Sequence, residues 1–266
     1  MDLLLNEIYK SRNLDFSQYK EKLIERRIAV RLRATKSNSY LEYSKILQKN
    51  SDEMDFLLNE LTINVTRFFR DFSVFKVIQE KIIPKIIREH EFIKIWSCAC
   101  SGGQEAVSIL ILFLEYIETL KKQNQLQGIP QIQIYGTDID KLVIEKAEEG
   151  VYEDYEFQEM PKEYQAKYFI DMGNKKFWLK KEYRKYFTFC LHDIIKEPPL
   201  KNISFLLCRN LFIYFKPELQ KICIEKFAQA LRKNGFFITG TTEILAGKNL
   251  AGFYEYDQKN RIFLKF

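Results

Sequence analysis

The stretch "IWSCACSGGQEAVSI", residues 95–109, decides the fold, because it joins two apolar runs through a turn of small residues. Only 10 glycines occur in 266 residues, and two of them, Gly102 and Gly103, are adjacent here. The pattern predicts a β-strand that ends near Ser97 and a helix that begins at Glu105. Adjacent glycines let the backbone approach a ligand closely. Since the full G-x-G-x-x-G pattern of dinucleotide sites is missing, a plain strand-to-helix turn stays open as the alternative.

Short apolar runs that end in polar or small residues recur along the chain, with helical patterns between them. The runs are "FIKIW", "IQIYGTDID", "FTFCLHDI", "ISFLLCRN" and "GFFITGTTE", and the helical patterns cover residues 105–120, 141–149 and 217–232. Alternating strands and helices predict the α/β class, with a doubly wound, mostly parallel sheet that is covered on both faces. The final "GFYEYDQKNRIFLKF" predicts two more strands around a turn at residues 257–260.

The polar ends of these strands predict a ligand site, because ligands of such sheets bind beyond the carboxyl ends of the strands. Asp138 follows the second strand, where an acidic residue accepts hydrogen bonds from ribose hydroxyls. Its alternative role is the N-cap of the next helix, a place that Asp140 also suits. The other polar strand ends are His192 with Asp193, Arg209 with Asn210, and Thr241, Thr242 and Glu243. Any one of these ends taken alone fits an ordinary solvated loop, but five polar strand ends at one edge of a sheet describe a nucleoside-type pocket.

The first 75 residues predict a small helical domain with basic faces. In "KEKLIERRIAVRLRATK", residues 20–36, Ile24, Ile28 and Leu32 form one helical stripe. Ser51 is expected to be the N-cap of a later helix. The basic residues of the first stretch fall on two other faces, with Lys22, Arg26 and Arg33 on one and Lys20, Arg27 and Arg31 on the other.

The stretch "NVTRFFRD", residues 64–71, lies where the helical part of the chain meets the sheet part. Phe68 and Phe69 are predicted to be core anchors of that junction, and Arg70 taken alone is most simply a surface charge. Polar Asn64, Thr66 and Arg70 beside two large apolar residues also fit the lining of a cleft between domains.

The composition predicts a compact protein of a reducing compartment. The chain is 46% apolar, and its net charge of +6 is modest. Its five cysteines are odd in number and lack zinc-type spacing, which disfavours a disulfide framework and a zinc site. The first residues, "MDLLLNEIYKSRN", carry acids inside a short apolar run and match neither a signal peptide nor a membrane span. We therefore expect a cytoplasmic protein without membrane insertion.

Five stretches together resemble the CheR family of chemotaxis receptor methyltransferases, in order and in spacing. They are "LTINVTRFFRD", "SCACSGGQEAVS", "GTDIDKLVIEKAEEGVY", "FLLCRNLFIYF" and "LRKNGFFITGTTEIL". The resemblance covers essentially the whole chain, and N-x-T-x-F-F-R and C-R-N-x-x-I-Y-F are its most specific parts. It implies a Rossmann-like S-adenosylmethionine-dependent methyltransferase domain at residues 76–266, with a small antiparallel β insertion at about 165–187, preceded by an all-helical basic domain at residues 1–75.

The resemblance also implies the reaction and its site. The expected activity is S-adenosylmethionine-dependent methylation of glutamate side chains on the cytoplasmic helices of chemoreceptors, giving glutamyl methyl esters and S-adenosylhomocysteine. Arg70 and Tyr214 are implied as catalytic residues. Glu105 is expected at the methionyl amino group, Asp138 at the ribose, and Asp193 with Ile194 at the adenine. The full set implied around the cofactor is Asn64, Thr66, Arg70, Cys98, Glu105, Asp138, Ile139, Asp193, Ile194, Arg209 and Asn210.

The resemblance also implies a binding partner for the basic helix at residues 20–36, namely the cytoplasmic helices of the chemoreceptor. Acidic receptor helices are expected to be attracted by Arg26, Arg27, Arg31 and Arg33, mainly through steering and register. A solvated basic face and nucleic-acid binding are the alternatives. No aromatic residue interrupts residues 20–36 to form a stacking platform for single strands. We expect a monomer that binds neither nucleic acid nor a metal ion.

The chain departs from the family pattern in two places. Glu105 is followed by Ala106, Val107 and Ser108 where the family usually has Pro-Tyr-Ser, and Gln104 replaces a common acidic residue. We expect altered packing beneath the cofactor, and a catalytically impaired, binding-only relative is the alternative. A methyltransferase that acts on nucleic acid is a further rival. The turn at Gly173 is short, which predicts a member that does not tether a receptor C-terminal peptide there.

Overall fold

The computed structural model describes residues 1–62, 64–125, 128–245 and 252–266. It divides the chain into two compact units. The helical unit comprises Met1–Asn64 together with Phe212–Lys221, and the sheet unit comprises Val65–Leu211 together with Ile222–Phe266. The boundary predicted at residue 75 stays a prediction, because a division by compactness does not test where an independently folding domain ends.

The N-terminal part of the chain is helical, as the sequence predicts, and it contributes four helices to the helical unit. Their apolar faces meet in one core that includes Ile8, Ile28, Tyr43 and Leu57. The predicted stripe of the second helix is confirmed, since Ile24 is also buried in this core. The helices are α1 Asp2–Arg12, α2 Glu21–Ala34, α3 Tyr40–Lys49 and α4 Ser51–Thr62.

The N-cap expected at Ser51 is wrong by one residue. The Asn50 side-chain oxygen accepts hydrogen bonds from the backbone N–H groups of Asp52 and Glu53, at 3.0 and 3.1 Å. Asn and Ser have similar cap preferences, so sequence alone does not separate adjacent candidates. The cap geometry decides between them, and Asn50 caps α4.

Two arginines of α2 are engaged within the helical unit. Arg27 pairs with Glu60 at 2.9 Å, and Arg31 pairs with the buried carboxylate of Glu53 at 2.7 Å. The hydrogen bond to Glu53 raises the pKa of Arg31. Arg27 and Arg31 therefore stabilise the packing of α2 against α4, and the expectation that they are available to a partner needs correction. The exposed basic face of α2 consists of Lys22, Arg26 and Arg33.

The sheet unit contains a seven-stranded sheet and a small three-stranded sheet. In the large sheet the order is β6-β2-β1-β7-β8-β10-β9, with the first five strands parallel and the last two antiparallel. The predicted mostly parallel sheet and its two terminal edge strands are confirmed. The strands are β1 Phe92–Cys98, β2 Gln131–Asp138, β3 Val151–Glu153, β4 Phe169–Gly173, β5 Lys176–Leu179, β6 Phe187–Leu191, β7 Ile203–Cys208, β8 Leu231–Thr239, β9 Phe253–Asp257 and β10 Ile262–Lys265.

The small sheet has the order β3-β5-β4 and is antiparallel, which confirms the predicted kind of insertion. Two of its strands lie inside the expected range of about 165–187. The third, β3, comes earlier in the chain and has only three residues. A run of three residues is too short to show an alternating pattern, so sequence gives no signal for it.

In the sheet unit, two α-helices precede β1, and the others lie between successive strands. Pro84 lies in the first turn of α6, where the N–H group that proline lacks would have no partner within that helix. A π-helical turn, Ile78–Ile82, separates α6 from α5. The helices are α5 Phe72–Val77, α6 Ile83–Glu89, α7 Gln104–Lys122, α8 Lys141–Glu149, α9 Lys162–Tyr168, α10 Lys181–Arg184 and α11 Pro217–Ala230, the last beginning in the helical unit.

The strand order places a crevice between β1 and β7. From β1 the chain goes to β2 and β6 on one side and later to β7 and β8 on the other. Ligands of open α/β sheets bind beyond the carboxyl ends of the strands at such a reversal. Every residue of β7 is buried, as expected for a central parallel strand. No helix within the described ranges is long and apolar enough to cross a membrane.

Candidate functional site

Glu105 lies at the crevice between β1 and β7, on the first turn of α7. Its Oε1 accepts a hydrogen bond from Ser97 Oγ at 2.7 Å, and its Oε2 faces Arg209 Nη1 at 3.4 Å. Burial raises the pKa of the Glu105 carboxyl, while Arg209, Ser97 and the charge of Arg70 oppose that rise. The site therefore holds a carboxylate whose charge is compensated from two sides.

Arg209 follows β7 directly and joins this carboxylate to the segment before α5. Its side chain is 3% exposed, and its Nη2 donates to Asp71 Oδ2 at 2.6 Å and to the Arg70 carbonyl at 2.9 Å. Its guanidinium also lies over the Phe75 ring, 5.5 Å from the centroid. Such an arginine has little freedom to bind a ligand directly, so its effect on a ligand passes through Glu105 and Asp71.

The two core anchors predicted for residues 64–71, the segment before α5, are confirmed. Phe68 and Phe69 are fully buried and pack against aromatic rings of the sheet unit. Phe69 and Asp71 both have left-handed backbone conformations, with φ of 54° and 63°. Arg70 between them is only partly buried, and its Nη1 donates to the Val65 carbonyl at 3.2 Å. The segment thus presents Arg70 from a tightly anchored turn.

The glycine loop reaches from β1 to the side of β2. Gly103 has φ of +85°, a conformation that glycine adopts at low cost. Gly102 has another reason to be glycine, because a Cβ there would lie 2.9 Å from Gln104 Nε2. Ala99 and Ser101 are also left-handed, so the loop turns sharply at several residues.

Asp138 ends β2 and holds this loop in place. Its Oδ2 accepts from the Ser101 N–H at 2.9 Å, and its Oδ1 accepts from the Asp140 N–H at 3.1 Å. Burial raises the pKa of Asp138 to about 6, although backbone hydrogen bonds from Ser101, Asp140 and Ile139 oppose the rise. The capping role belongs to Asp140, whose Oδ1 accepts from the Leu142 N–H at 2.9 Å. Asp138 is therefore not the cap of α8.

The loop after β6 carries the residues expected near adenine. Asp193 Oδ1 accepts from the backbone N–H groups of Ile195 and Lys196, at 2.8 and 3.3 Å. Ile194 is buried, and its carbonyl accepts from Lys226 Nζ at 2.8 Å. The backbone N–H of His192, just before them, bonds to the Asp138 carbonyl at 2.9 Å, which ties this loop to the end of β2.

The remaining expected residues are divided between the two units. Cys98 is buried at the end of β1, Ile139 follows Asp138, and Thr66 lies in the anchored segment. Asn210 has φ of 63°, and its side-chain nitrogen packs closely on Gly240. Asn64 and Tyr214 belong to the helical unit. There, Asn64 Nδ2 donates to Asn59 and Thr62, and the Tyr214 carbonyl accepts from the Lys20 N–H.

Two residues of this arrangement were missed by sequence reasoning. Ser97 orients Glu105, and Asp71 balances the buried charge of Arg209. Both lie inside stretches that the sequence singles out, so their positions were visible. Their partners are 8 and 138 residues away in the chain, and no local pattern connects them.

The departure after Glu105 is accommodated by the core. Ala106 and Val107 are both fully buried and belong to the main apolar cluster of the sheet unit. They lie in the first turn of α7 and pack into the core, as expected from their apolar character. Their effect on cofactor affinity stays a prediction.

The donors and acceptors of this edge fit a nucleoside that carries an amino acid. Glu105 offers a carboxylate to an ammonium group, and Asp138 offers one to paired hydroxyls. Between them lies a loop whose two glycines leave no side chain in the way. Among the described residues no group of histidine, cysteine, aspartate and glutamate side chains is arranged to hold a metal ion.

Comparison with known proteins relates both units to one family. A family model described as "CheR methyltransferase, SAM binding domain" matches residues 64–261, and "CheR methyltransferase, all-alpha domain" matches residues 1–62. A chemotaxis protein methyltransferase from Listeria innocua is 30% identical over 234 residues, covering 87% of this chain and 85% of that protein. The corresponding protein from Borreliella burgdorferi is 29% identical, with 93% and 89% covered, and chemotaxis protein methyltransferase 2 from Vibrio cholerae is 27% identical, with 90% and 83% covered.

Proposed function

The chain belongs to the CheR methyltransferase family, and on that premise we propose that it methylates glutamate side chains on the cytoplasmic helices of chemoreceptors. It is a methyltransferase, S-adenosylmethionine is its cofactor, and the methylation serves chemotaxis. The glutamate acceptor, the receptor helix and a cytoplasmic, monomeric state are the parts that we propose. The observation that carries the proposal is the pairing of Glu105 with Ser97 and Arg209 at the crevice between β1 and β7.

We propose that two carboxylates hold the cofactor. Glu105 binds the methionyl ammonium group, because its charge is held in place by Ser97 and Arg209. Asp138 binds the ribose hydroxyls with the lone pairs that its backbone hydrogen bonds leave unused. Asp193 and Ile194 border the adenine, and Asn64, Thr66, Cys98, Ile139 and Asn210 complete the surroundings of the cofactor in this proposal.

The chemistry needs positioning more than proton transfer. When bound, the cofactor supplies a methyl group from its sulfonium, which passes to a carboxylate oxygen and leaves a methyl ester and a neutral thioether. A glutamate carboxylate is already ionised at pH 7, so no general base is required. The residues of the chain have to align the carboxylate and exclude part of its water.

Arg70 and Tyr214 are proposed to align the acceptor. Arg70 extends from the anchored segment, and among the described residues its side chain donates one hydrogen bond, to the Val65 carbonyl. Its guanidinium has five N–H groups and so retains donors for an incoming carboxylate. Tyr214 is proposed to orient the acceptor through its hydroxyl, a role supported by the resemblance of "FLLCRNLFIYF". Neither contact should be so strong that the carboxylate loses its nucleophilicity.

The exposed face of α2 is proposed to steer the receptor. Lys22, Arg26 and Arg33 share one side of this helix and are solvent-exposed, so they can attract an acidic helix that presents methylation sites. Their contribution is to association and register, because exposed charges are screened by salt.

Calorimetric titration with S-adenosylhomocysteine tests the cofactor part of the proposal. We expect micromolar binding, about −8 kcal/mol, and much weaker binding by Glu105→Ala. Glu118→Ala is the matched control, since Glu118 lies on the same helix and forms an exposed ion pair with Lys122. Equal affinity of all three proteins would refute the assignment of Glu105.

Transfer of a labelled methyl group to a purified cytoplasmic receptor fragment tests the acceptor part. The label should be released by mild base, as expected for an ester, and should be lost when the acceptor glutamates are changed to alanine. Tight cofactor binding without any transfer would favour the binding-only alternative. That alternative arises because Ala106 and Val107 stand where the family usually has Pro-Tyr. Transfer to RNA or DNA instead would favour a nucleic-acid methyltransferase.

We also propose that this member does not tether a receptor C-terminal peptide. The β4–β5 turn is short, with Gly173, Asn174 and Lys175 all left-handed, and only one of these residues is glycine. Titration with a receptor C-terminal pentapeptide should give no binding. Saturable binding that is lost when the β4–β5 turn is replaced would contradict the proposal.

A further inference from the structure

We propose that a buried pair, Gln104 and Glu156, positions the segment that carries Arg70 and thereby governs the rate of methyl transfer. Neither residue is among the cofactor or acceptor contacts proposed above, and neither needs to touch a substrate. The two side chains are among the most buried polar groups of the sheet unit, 2% and 1% exposed. The inference rests on the proposed role of Arg70, and its test separates the two.

The first connection runs through the side chain of Gln104. Its Nε2 donates to Glu156 Oε1, and the backbone carbonyl of Glu156 accepts from the Phe68 N–H at 2.9 Å. Glu156 is itself held firmly, because its Oε2 accepts from the Glu153 N–H at 2.6 Å and Lys146 Nζ lies 3.0 Å from its Oε1. One end of the Arg70 segment is thus attached to a fixed, charged anchor.

The second connection runs through the backbone of Gln104. Its carbonyl accepts from Ser108 Oγ at 2.7 Å, and Ser108 Oγ in turn accepts from the Phe69 N–H at 3.1 Å. The N–H groups of the two residues that precede Arg70 are therefore both linked to Gln104. Phe69 has a left-handed backbone, which costs a non-glycine residue about 1–2 kcal/mol. A conformation of that kind persists only where its surroundings hold it.

The chemistry of the pair explains why Gln104 stands where the family commonly has an acid. A glutamine donates to the Glu156 carboxylate, whereas a glutamate would place two carboxylates together in a buried site. Lys146 and the Tyr152 hydroxyl are the titratable groups near Glu156, and one lysine cannot balance both charges well. The Gln104 Oε1 has no hydrogen-bond partner among the described residues, so no donor awaits a second carboxylate oxygen there.

The test is a reciprocal exchange read by hydrogen–deuterium exchange at residues 66–71. In Gln104→Glu we expect the Phe68 and Phe69 amides to exchange at least about fivefold faster, because the hydrogen bond from Gln104 to Glu156 is lost. The double variant Gln104→Glu with Glu156→Gln restores one donor and one carboxylate, and its exchange should return close to wild type. Glu156→Gln alone keeps an amide–amide bond but loses the charge that pairs with Lys146, so its effect should be intermediate.

Turnover provides the second readout. For a receptor fragment as acceptor, kcat of Gln104→Glu should fall at least about fivefold, while KM and the affinity for S-adenosylhomocysteine change less. A purely structural role would lower the folded fraction and leave kcat per folded molecule unchanged. The matched control is Glu115→Gln, about three turns further along α7, where a carboxylate also bonds a lysine and a tyrosine hydroxyl. Its exchange at residues 66–71 and its kcat should equal those of wild type.

Two results would overturn the inference. One is wild-type amide exchange and kcat in Gln104→Glu. The other is a double variant that is no better than the worse single variant, since the pair would then have no interaction to restore. If wild type fails to methylate any receptor fragment while the exchange pattern follows expectation, the proposed acceptor is wrong and the positioning pair stands.

Discussion

If Asp138 binds the ribose as proposed, we expect its burial to make cofactor affinity depend on pH. Its folded pKa of about 6 lies above the ordinary value of 3.8, so the folded protein binds a proton more tightly than the unfolded chain. The associated stability is fully present below the ordinary pKa and is lost as pH rises through about 6. The ionised form is the better acceptor for ribose hydroxyls, so affinity for S-adenosylhomocysteine should weaken as pH falls below about 6.

Calorimetry at pH 5 and pH 7.5 measures this dependence, and Asp138→Asn is the comparison. The variant should bind about tenfold or more weakly at pH 7.5, because it replaces a charged acceptor, and its affinity should vary less with pH. The comparison is needed because burial also raises the pKa of Glu105. An affinity that is the same at both pH values in wild type would refute the role of Asp138.

Arg70 is the residue on which the proposed alignment of the acceptor depends. Arg70→Ala should lower methyl transfer to a receptor fragment by about 10²-fold, the usual cost of removing a positioned charged donor from an active site. The fold should persist, since the side chain is only partly buried and bonds a single carbonyl. Arg67→Ala is the control from the same segment, where the arginine pairs with Glu159. Wild-type turnover in Arg70→Ala would remove the assignment.

At the scale of elements, helix α4 depends on a cap that sequence placed one residue too late. Asn50→Ala should lower the free energy of unfolding by about 1 kcal/mol, because two N–H groups lose their acceptor. Ser51→Ala should change it by only a few tenths of a kcal/mol. Denaturant titration of both variants decides the matter, and a larger loss in Ser51→Ala would mean that the serine is the cap after all.

At the scale of the whole molecule, Arg27 and Arg31 serve packing, and we expect the exposed Lys22, Arg26 and Arg33 to serve recognition of the receptor. Reversing the exposed face of α2, with Lys22→Glu, Arg26→Glu and Arg33→Glu together, should lower kcat/KM for a receptor fragment by about tenfold at low salt. The loss should shrink at high ionic strength, and the affinity for S-adenosylhomocysteine should not change.

Arg27→Ala and Arg31→Ala are the contrasting variants for this prediction. They should lower thermal stability, because each leaves a carboxylate of α4 without its partner. Salt-independent activity of the reversed-face variant, equal to that of wild type, would show that the exposed face of α2 does not steer the receptor.

The alternation of strands and helices, the polar strand ends and the helical N-terminal part could all be predicted from sequence. These features are local: a period of two or 3.6 residues, a glycine pair or a cap candidate is visible within a short window. Asp138 was predicted in the same way, as a polar residue at the end of an apolar run, and Glu105 as the start of the next helix. The family resemblance added their roles, since N-x-T-x-F-F-R and C-R-N-x-x-I-Y-F are specific motifs.

Only the tertiary structure decided which charges face one another. Arg209 with Asp71, Gln104 with Glu156, and Arg31 with Glu53 are pairs whose members lie between 22 and 138 residues apart. Their energies depend on burial and on distances of a few ångströms, which no local pattern encodes. Sequence by itself determined where polar residues meet a buried sheet edge, and the packing of distant segments determined which of them remain available to a ligand.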